Sequence, residues 1–380
     1  MGCQYARLAK KYNLPVIVGG VHISMSPASL TEDMDVGVLG EGEETICDLV
    51  KLFLIKHKLL KKDLSKVKGI VYINEDKKIC LTPVRELITP LDKIPLPARD
   101  LLKIRRETYL FTSRGCPYRC IFCASCRFWD KVRFFSAQYV VKEIQHLVKY
   151  YKVDTINFYD DIFILDKKRL KEIIDLLEKE KILGKVTFTC SARANLIDKE
   201  MVQLLKNMGV KSIGLGLESG SPKILEYLKG SSVTVEDGIK AINTIKKFGI
   251  KVYASFIIGS PQETREDIIK TLEFIKKSKL VGFDIYVLTP FFNTPVWEHA
   301  LSRGLVNEKM NWDRLKIDFA KHHQSAIILS EQLSREELYK LFKKFQRYQR
   351  RLKIFYQIKK GLSHPFLIPS FVFRKLKNLF

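Results

Sequence analysis

The chain has 380 residues, of which 46% are hydrophobic and 28% charged, and its formal net charge is +24. This length and composition can bury one large hydrophobic core and a smaller one. No apolar run reaches the ~18 residues of a membrane-spanning helix, and the N-terminus has no secretory pattern of basic, apolar and small residues. The eight cysteines are too scattered for a secreted disulfide framework. We therefore expect a cytoplasmic protein.

Residues 1–66 predict a small, incomplete α/β domain. Residues 4–12 have a helical pattern, while residues 16–18 and 36–39 are apolar runs typical of buried strands. Each run is followed by glycine and a helix-like segment, which is the rhythm of βαβ units. A sheet made only of these units would have an unpaired edge and apolar helix faces. The chain is therefore predicted to be truncated at its N-terminus or to have a short front domain.

Residues 67–107 predict a hairpin followed by a linker. The hairpin consists of apolar runs at 70–73 and 79–81 on either side of a polar turn. Three prolines, Pro90, Pro95 and Pro97, then interrupt regular structure before the next domain.

Residues 108–305 predict six strands that alternate with helices. The candidate strands are 109–113, 154–159, 186–190, 212–217, 252–258 and 283–288. Amphipathic helices between them include 137–151, 167–181 and 263–277. This alternation predicts an α/β fold, a partial (β/α)6 barrel, whose active site would lie at the carboxyl ends of the strands.

Three cysteines follow the first predicted core strand. Cys116, Cys120 and Cys123 have the spacing C-x3-C-x2-C on one loop. A cubane iron-sulfur cluster normally has four thiolate ligands, so three would leave one iron open to a small molecule. A structural zinc site is the alternative, but it usually has four ligands in paired C-x2-C spacing, and Cys126 would have to fold back within the same loop. Phe122 could shield a cluster from solvent or simply pack.

Polar residues follow four other strands at their carboxyl ends. They are Asp160 and Asp161 after the second strand, Ser191 and Arg193 after the third, Glu218 and Ser219 after the fourth, and Gly259 and Glu263 after the fifth. Each pair could belong to an ordinary turn, but four of them on the face that carries the cysteine loop favour one shared site. Glycine turns let the backbone approach a nucleotide, and carboxylates accept hydrogen bonds from ribose hydroxyls.

The pattern C-x3-C-x-aromatic-C, formed by Cys116, Cys120, Phe122 and Cys123, resembles that of the radical S-adenosylmethionine enzymes. The stretch of about 108–305 is similar to the core of that family. The resemblance implies that the three cysteines hold a 4Fe-4S cluster, which passes an electron to the sulfonium of bound S-adenosylmethionine and so gives a 5′-deoxyadenosyl radical.

The resemblance also implies roles for the polar strand ends. Asp160 and Asp161 would lie near the methionine amino group of S-adenosylmethionine. Ser191 and Arg193 would make the third-strand contacts to the same molecule. Glu218, in the run Gly-Leu-Gly-Leu-Glu, would bind the ribose.

Further positions complete the implied cofactor site. Lys229 would pair with the methionine carboxylate, and its alternative is a solvated lysine near a helix end. Ser219 follows the ribose-binding position, and Gly259 and Glu263 match the family's Gly-x-Pro-Gly-Glu-Thr turn. Gln262 replaces the second glycine of that turn, which leaves the local shape of the turn open.

The front domain resembles the closing half of a cobalamin-binding, Rossmann-like domain, through residues 19–22 and 40–43. In that family a cobalt-ligating histidine, where present, lies in an Asp-x-His-x-x-Gly motif, and this motif does not occur in the sequence. His22 lies in a different motif and is predicted to be a loop histidine. Half of the expected cobalamin-binding domain and its usual ligand motif are missing from the sequence, so whether cobalamin is a cofactor is left open.

Residues 306–380 predict a basic helical tail, and residues 338–380 contain twelve Lys or Arg and no Asp or Glu. Apolar residues recur there at helical spacing: Leu338, Leu341, Phe342, Phe345 and Leu352. We favour packing of this stripe on the barrel with the charges in water. Contact with an anionic membrane surface is the next alternative, and residues 366–373 would add to it. Binding of nucleic acid is the third.

Together these features predict a radical S-adenosylmethionine enzyme that acts on a small-molecule or lipid-like substrate and takes electrons from a donor such as flavodoxin or ferredoxin. Methyl transfer to an unreactive carbon is the leading reaction; a rearrangement, cyclisation or oxidation without cobalamin is the next. A tRNA methylthiotransferase usually needs three more cysteines for a second cluster, and Cys3, Cys47 and Cys80 are scattered. An inactive fragment would bind the cluster without cleaving S-adenosylmethionine.

Overall fold

The computed structural model describes residues 2–362 of the chain. Its strands are β1 (Ile17–Val18), β2 (Val36–Val38), β3 (Ile70–Ile73), β4 (Ile79–Leu81), β5 (Glu107–Leu110), β6 (Ser113–Arg114), β7 (Arg133–Phe134), β8 (Thr155–Phe158), β9 (Thr187–Ala192), β10 (Val210–Glu218), β11 (Lys251–Ile258) and β12 (Gly282–Val287). Its α-helices are α1 (Gly2–Lys11), α2 (Val21–Met25), α3 (Glu43–Lys56), α4 (Lys61–Leu64), α5 (Ser125–Phe128), α6 (Ala137–Tyr151), α7 (Lys167–Lys179), α8 (Lys199–Met208), α9 (Pro222–Lys229), α10 (Val235–Lys247), α11 (Arg265–Ser278), α12 (Pro295–Ser302), α13 (Phe319–His322) and α14 (Arg335–Leu362). Short 3₁₀ helices are Pro27–Ser29, Leu91–Lys93, Arg99–Leu101, Ala194–Leu196 and Trp312–Leu315.

The chain divides into two compact units. The first comprises Met1–Arg105, Phe111–Lys152 and Pro290–Asp313, and the second comprises Arg106–Leu110, Val153–Thr289 and Arg314–Phe380. The four domain ranges predicted from the sequence (1–66, 67–107, 108–305 and 306–380) stay a prediction.

The first unit contains a four-stranded sheet in the order β1-β2-β3-β4. Strands β1 and β2 are parallel, while β2–β3 and β3–β4 are antiparallel. Alternation along the strands places Ile70 in one buried cluster with Leu49 of α3, and Val71 in another with Ala6 of α1 and Ile23 of α2. The predicted front strands and hairpin are confirmed.

Apolar side chains on α1 and α3 remain exposed beside this sheet. They include Tyr5, Leu8, Val50 and Leu54. Within residues 2–362, β1 pairs only with β2. Truncation at the N-terminus stays a prediction. His22, predicted to be a loop histidine, instead lies in α2, with its ring edge-on to Trp312 at 4.7 Å between centroids.

The second unit contains a six-stranded sheet whose neighbours follow chain order: β5, β8, β9, β10, β11, β12. All five pairings are parallel. This arrangement confirms the predicted partial (β/α)6 barrel. One strand was predicted wrongly: the first was expected at 109–113, but β5 ends at Leu110. The chain leaves the sheet there because Ser113 pairs with Phe134 in the separate β6–β7 ladder.

The two faces of this sheet differ in polarity because side chains alternate along each strand. One face is buried and largely apolar; it includes Ile156, Phe188, Ile213, Phe256 and Phe283. The other face is partly exposed and mostly polar; it consists of Glu107, Tyr109, Asn157, Thr189, Ser191, Gly214, Gly216, Tyr253, Ser255, Asp284 and Tyr286. We call the second set the polar sheet face. Asn157 Nδ2 donates to Glu107 across it at 2.9 Å.

Helices that follow these strands begin at well-defined caps. Asp166 and Asp198 accept hydrogen bonds from the backbone at the starts of α7 and α8. Capping boxes open α10 at Thr234 and α11 at Thr264. Because these caps fix where each helix begins, the connection between a strand and the next helix is short. The residues at the strand ends therefore have defined positions.

Helix α14 covers the β12 edge of the sheet. Gln349 Nε2 donates to the backbone carbonyl of Phe283 at 2.5 Å, and the predicted stripe residues Leu338, Leu341 and Phe345 are buried. The packing that we favoured for this stripe is therefore observed at these positions, while residues 366–373 lie outside the described residues. Among residues 2–362, every helix is too short or too polar to span a bilayer.

Candidate functional site

The predicted cysteine cluster lies on a loop that is closed at its base. Strands β6 and β7 pair in antiparallel fashion, with Arg114 opposite Arg133, so the loop between them begins and ends at one point. Gly115, the first loop residue, has φ +95°, and a Cβ there would lie 2.7 Å from the carbonyl oxygen of Lys131. Only glycine tolerates both the conformation and the close approach.

The cysteines on this loop fall into two groups. Cys116, Cys120 and Cys123 are half-buried, and the chain has no disulfides among the described residues. Cys126 is buried, and its Sγ donates to the carbonyl oxygen of Cys123 at 3.2 Å. Cys126 is thus hydrogen-bonded to the loop backbone. Phe122, which lies between Cys120 and Cys123 in the sequence, is half-buried.

Thiolates are the usual ligands of iron-sulfur clusters, so the donor set on this loop fits the predicted group. Across residues 2–362, no three cysteine, histidine or acidic side chains converge closely enough to hold a metal ion. The assignment of a cluster to Cys116, Cys120 and Cys123 therefore remains a proposal that rests on their chemistry and spacing.

In the second unit, the structure brings Glu218 and Lys229 together. Lys229 Nζ donates to the carbonyl oxygen of Gly216 at 2.6 Å and to Glu218 Oε1 at 3.4 Å. A Cβ at Gly216 would lie 2.6 Å from that same oxygen, so glycine is needed for the carboxylate to lie over the strand. Burial raises the pKa of Glu218, and the Lys229 ammonium opposes that shift. Lys229 is therefore part of a buried pair, and the alternative of a solvated lysine is wrong.

Glu218 also has an unusual backbone. Its φ is +60°, and the register with β11 shifts between Gly216 and Glu218. A residue with a side chain is strained in this left-handed region, and such strain is often found at functional sites. The bulge turns the carboxylate back over the strand end.

Residues of the third strand end meet the same segment. Arg193 is buried, and its Nη2 donates to Ser232 Oγ at 2.8 Å and to the carbonyl oxygen of Lys229 at 3.5 Å. Ser191 is exposed on the polar sheet face. Arg193, Glu218 and Lys229 thus form one group, which we call the strand-end triad.

The second strand end has one buried and one exposed carboxylate, Asp160 and Asp161 respectively. Cys190 on β9 is fully buried, and both that burial and the nearby Asp160 raise the pKa of its thiol to about 12. The thiol of Cys190 therefore stays protonated at neutral pH.

Two predicted residues are enclosed in turns. Glu263 is 0% exposed, and its Oε2 accepts hydrogen bonds from the backbone nitrogens of Gly259 at 2.5 Å and Ser260 at 3.1 Å. Ser219 is buried, and its Oγ accepts from the backbone nitrogen of Ser221 at 3.1 Å. Both side chains hold the shape of their turns. Gln262 leaves the Gly259–Glu263 contact intact.

The buried Glu263 carboxyl group is expected to make the free energy of unfolding depend on pH. Burial raises its pKa from 4.5 to about 8, although the two backbone amides act in the opposite direction. Between those values the unfolded chain has lost the proton that the folded chain keeps, so the free energy of unfolding falls as pH rises, by an amount on the order of 4 kcal/mol. We expect Glu263→Gln, which cannot titrate, to reduce the change in thermal unfolding midpoint between about pH 5 and about pH 8. Glu266→Gln, an exposed change in the first turn of α11 just after Glu263, is the control. Equal dependence of the unfolding midpoint on pH in all three proteins would contradict the assignment.

The sequence predictions missed two features. The polar sheet face is one, although period-two alternation in the six predicted strands could have indicated it. The other is Glu41, which is buried and accepts from the guanidinium groups of Arg114 and Arg133. A buried carboxylate distant in sequence from its partners has no local pattern.

Similarity to known proteins agrees with these features. The family model of the Radical SAM superfamily matches residues 110–275. An uncharacterized methyltransferase of Pyrococcus horikoshii is 35% identical over 320 residues, which is 81% of this chain and 68% of that protein. The anaerobic magnesium-protoporphyrin IX monomethyl ester cyclase of Rubrivivax gelatinosus is 29% identical over 303 residues, 75% of this chain and 54% of that one. The chain thus spans about half to two thirds of these relatives.

Two solved structures share the fold. The radical S-adenosylmethionine methyltransferase TsrM of Kitasatospora setae, with tryptophan and an S-adenosylmethionine analogue bound, has a TM-score of 0.66 at 19% identity and covers 80% of this chain and 62% of its own. The cobalamin-dependent S-adenosylmethionine radical enzyme OxsB has a TM-score of 0.58 at 25% identity and covers 72% of this chain and 40% of its own. The chain belongs to the radical S-adenosylmethionine superfamily.

Proposed function

We propose that this radical S-adenosylmethionine enzyme transfers a methyl group to a carbon atom of a small molecule. The observation that carries the proposal is the 35% identity, over 81% of the chain, with a protein named as a methyltransferase. The likeness to a cyclase over 75% of the chain keeps radical cyclisation as the second candidate.

Cys116, Cys120 and Cys123 would hold a 4Fe-4S cluster, with Phe122 shielding it. Three ligands are proposed from the C-x3-C-x2-C spacing of these residues, while the Cys126 thiol donates to the carbonyl oxygen of Cys123. When bound, the cluster supplies the electron for reductive cleavage of S-adenosylmethionine, while the protein positions the reactants and excludes water.

The strand-end triad would bind S-adenosylmethionine. Glu218 would accept hydrogen bonds from the ribose hydroxyls, Lys229 would pair with the methionine carboxylate, and Arg193 would hold the segment after α9 in place. The contact between Glu218 and Lys229 keeps both buried charges compensated, so each can exchange its partner for a group of the cofactor.

The remaining predicted residues divide by exposure. Asp161 and Ser191 are exposed at their strand ends and are proposed as direct contacts, with Asp160 beside them. Ser219 and Glu263 are enclosed, so we propose that they act by shaping the turns, the second of which contains Gly259.

The polar sheet face is proposed as the substrate surface. Gly214, Gly216 and Ser255 lie on the neighbouring strands β10 and β11, and their small side chains leave room for a ligand. Tyr109 and Tyr159 are 53% and 61% exposed, and their rings meet edge to face at 4.8 Å. Hydroxyl, amide and phenol groups on one surface suit a substrate with several hydrogen-bonding groups and a planar part better than a lipid-like one.

The partners follow from the same proposal. The chemistry of the family needs a reductant, which we propose is a flavodoxin or ferredoxin. Cobalamin is proposed as the carrier of the methyl group, without an assigned ligand in this chain. Near its end, α14 exposes Ile354, Phe355 and Ile358 beside Arg351 and Lys353, and this mixture supports the proposed contact with an anionic membrane surface.

The test measures how S-adenosylmethionine is consumed. The chain is reconstituted anaerobically with iron and sulfide, reduced with dithionite and incubated with S-adenosylmethionine, with and without cobalamin. We expect 5′-deoxyadenosine in both samples and S-adenosylhomocysteine, the product of methyl donation, only with cobalamin. Formation of 5′-deoxyadenosine alone would favour cyclisation or another radical reaction. A loaded cluster with neither product would indicate an inactive fragment.

A further inference from the structure

Glu41 is a buried carboxylate at the carboxyl end of β2. It is 6% exposed, and three groups donate to it. Oε1 accepts from Arg114, and Oε2 accepts from Arg133 Nη1 at 2.9 Å and from the backbone nitrogen of Ile88 at 2.6 Å. A buried carboxylate is unfavourable unless it is paired and hydrogen-bonded, so the position of Glu41 is determined by these donors.

The two arginines mark the two ends of the cysteine loop. Arg114 directly precedes Gly115 and Cys116, and Arg133 follows the loop. They lie opposite each other in the β6–β7 ladder. The ring of Trp129, within the loop, lies 5.6 Å from the Arg114 guanidinium and 5.5 Å from that of Arg133. One carboxylate therefore binds both ends of the loop, and both cations contact an aromatic ring of the loop itself.

Glu43 provides a natural comparison. Its Oε1 accepts a hydrogen bond from Arg114 Nη2. In the described part of the chain Glu43 has no ion pair with Arg133. Its side chain is about one third exposed, at 34%. Of these two carboxylates, Glu41 is the one that is buried and contacts both ends of the loop.

Burial by itself would raise the pKa of Glu41, but the hydrogen bonds from Arg133, Ile88 and Arg114 outweigh it, and the pKa is lowered. The carboxylate therefore stays ionised at neutral pH, and its charge is matched by the arginines. A neutral amide of the same shape would leave Arg133 at the base of the loop without its counter-charge and would leave Arg114 with Glu43 alone.

We infer that Glu41 is a positioning residue for the iron-sulfur cluster: it binds one arginine at each end of the cysteine loop and so sets the loop geometry on which the cluster depends. The inference rests on the proposed function, because it takes Cys116, Cys120 and Cys123 as the ligands.

The first experiment uses the full chain without metal, so its result does not depend on the proposed function. Amide hydrogen exchange is compared in the wild type, Glu41→Gln and Glu43→Gln. We expect Glu41→Gln to speed exchange across residues 113–135 by about tenfold, the effect of losing one charge-assisted hydrogen bond, with little change in the six-stranded sheet. Glu43→Gln should change the same peptides much less. Equal exchange in the wild type and Glu41→Gln would overturn the inference.

The second experiment uses the reconstituted chain and follows the reduced cluster by electron paramagnetic resonance during a potentiometric titration. We expect Glu41→Gln to shift the midpoint potential or the spectrum at matched iron content, and Glu43→Gln to match the wild type. An unchanged potential and spectrum in Glu41→Gln would overturn the role in cluster geometry. A wild type that binds no cluster would instead refute the proposed function and leave the exchange result standing.

Arg133→Gln covers the case in which Glu41→Gln does not fold. This variant removes the contact at one end only. Faster exchange near residues 129–135, with residues 113–116 still protected by the contact between Arg114 and Glu41, would support the inference. Exchange rates that equal those of the wild type at both ends of the loop would overturn the inference.

Discussion

Cys120→Ala is expected to lose the reconstituted iron-sulfur cluster and with it all cleavage of S-adenosylmethionine. A 4Fe-4S cluster would bring about four iron atoms per chain, and removal of one of three thiolates leaves too few ligands to retain it. Iron and sulfide content, the visible absorption of the cluster and the yield of 5′-deoxyadenosine are measured on the same sample. The change is at a half-buried loop position, so circular dichroism should show an intact fold.

Cys126→Ala is the matched control, because Cys126 lies on the same loop but its thiol donates to the carbonyl oxygen of Cys123. We expect this variant to retain iron and activity, with some loss of stability from the buried cavity. If Cys120→Ala and Cys126→Ala lose metal equally, the loop holds a four-thiolate site, and the zinc alternative becomes the better explanation. Retention of the full cluster in Cys120→Ala would contradict the ligand assignment itself.

Much of the fold could be predicted because its strands and helices have strong local patterns. The predicted helix 137–151 coincides with α6, and predicted strand 252–258 lies within β11 (Lys251–Ile258). The first core strand was placed too late because residues 111–112 are still aromatic or β-branched after the chain has left the sheet. Pairing of Ser113 with Phe134 decides that boundary, and such a contact has no local signal.

The site was predictable in its composition but not in its contacts. Polar residues at strand ends identified Arg193, Glu218 and Lys229, and the structure places them in one group. Sequence spacing could not show that Glu263 is fully enclosed, because a strand-end carboxylate is equally compatible with a ligand contact and with a turn contact. Nor could it show Glu41, whose arginine partners lie 73 and 92 residues away along the chain.

Lys229→Met is expected to destabilise the protein strongly and in a pH-dependent way. The change leaves the buried Glu218 carboxylate without its ammonium partner, and loss of one member of a buried pair typically costs about 3–5 kcal/mol. Without Lys229, burial holds the folded-state pKa of Glu218 above its unfolded value, so stability is lost as pH rises through that folded value. The free energy of unfolding that the variant loses relative to the wild type, measured by urea denaturation, should therefore be larger near pH 8 than near pH 5. Lys223→Met, an exposed change on the same helix, should show neither effect.

The double variant Lys229→Met/Glu218→Gln separates stability from cofactor binding. With no carboxylate left to bury, most of the lost stability should return, because removal of both charges is much less costly than removal of one. Binding of S-adenosylmethionine to the reconstituted protein, measured by calorimetry, should not return, since both proposed contacts are gone. Recovery of binding together with stability would mean that the pair only supports the strand end, and that residues outside the strand-end triad hold the cofactor.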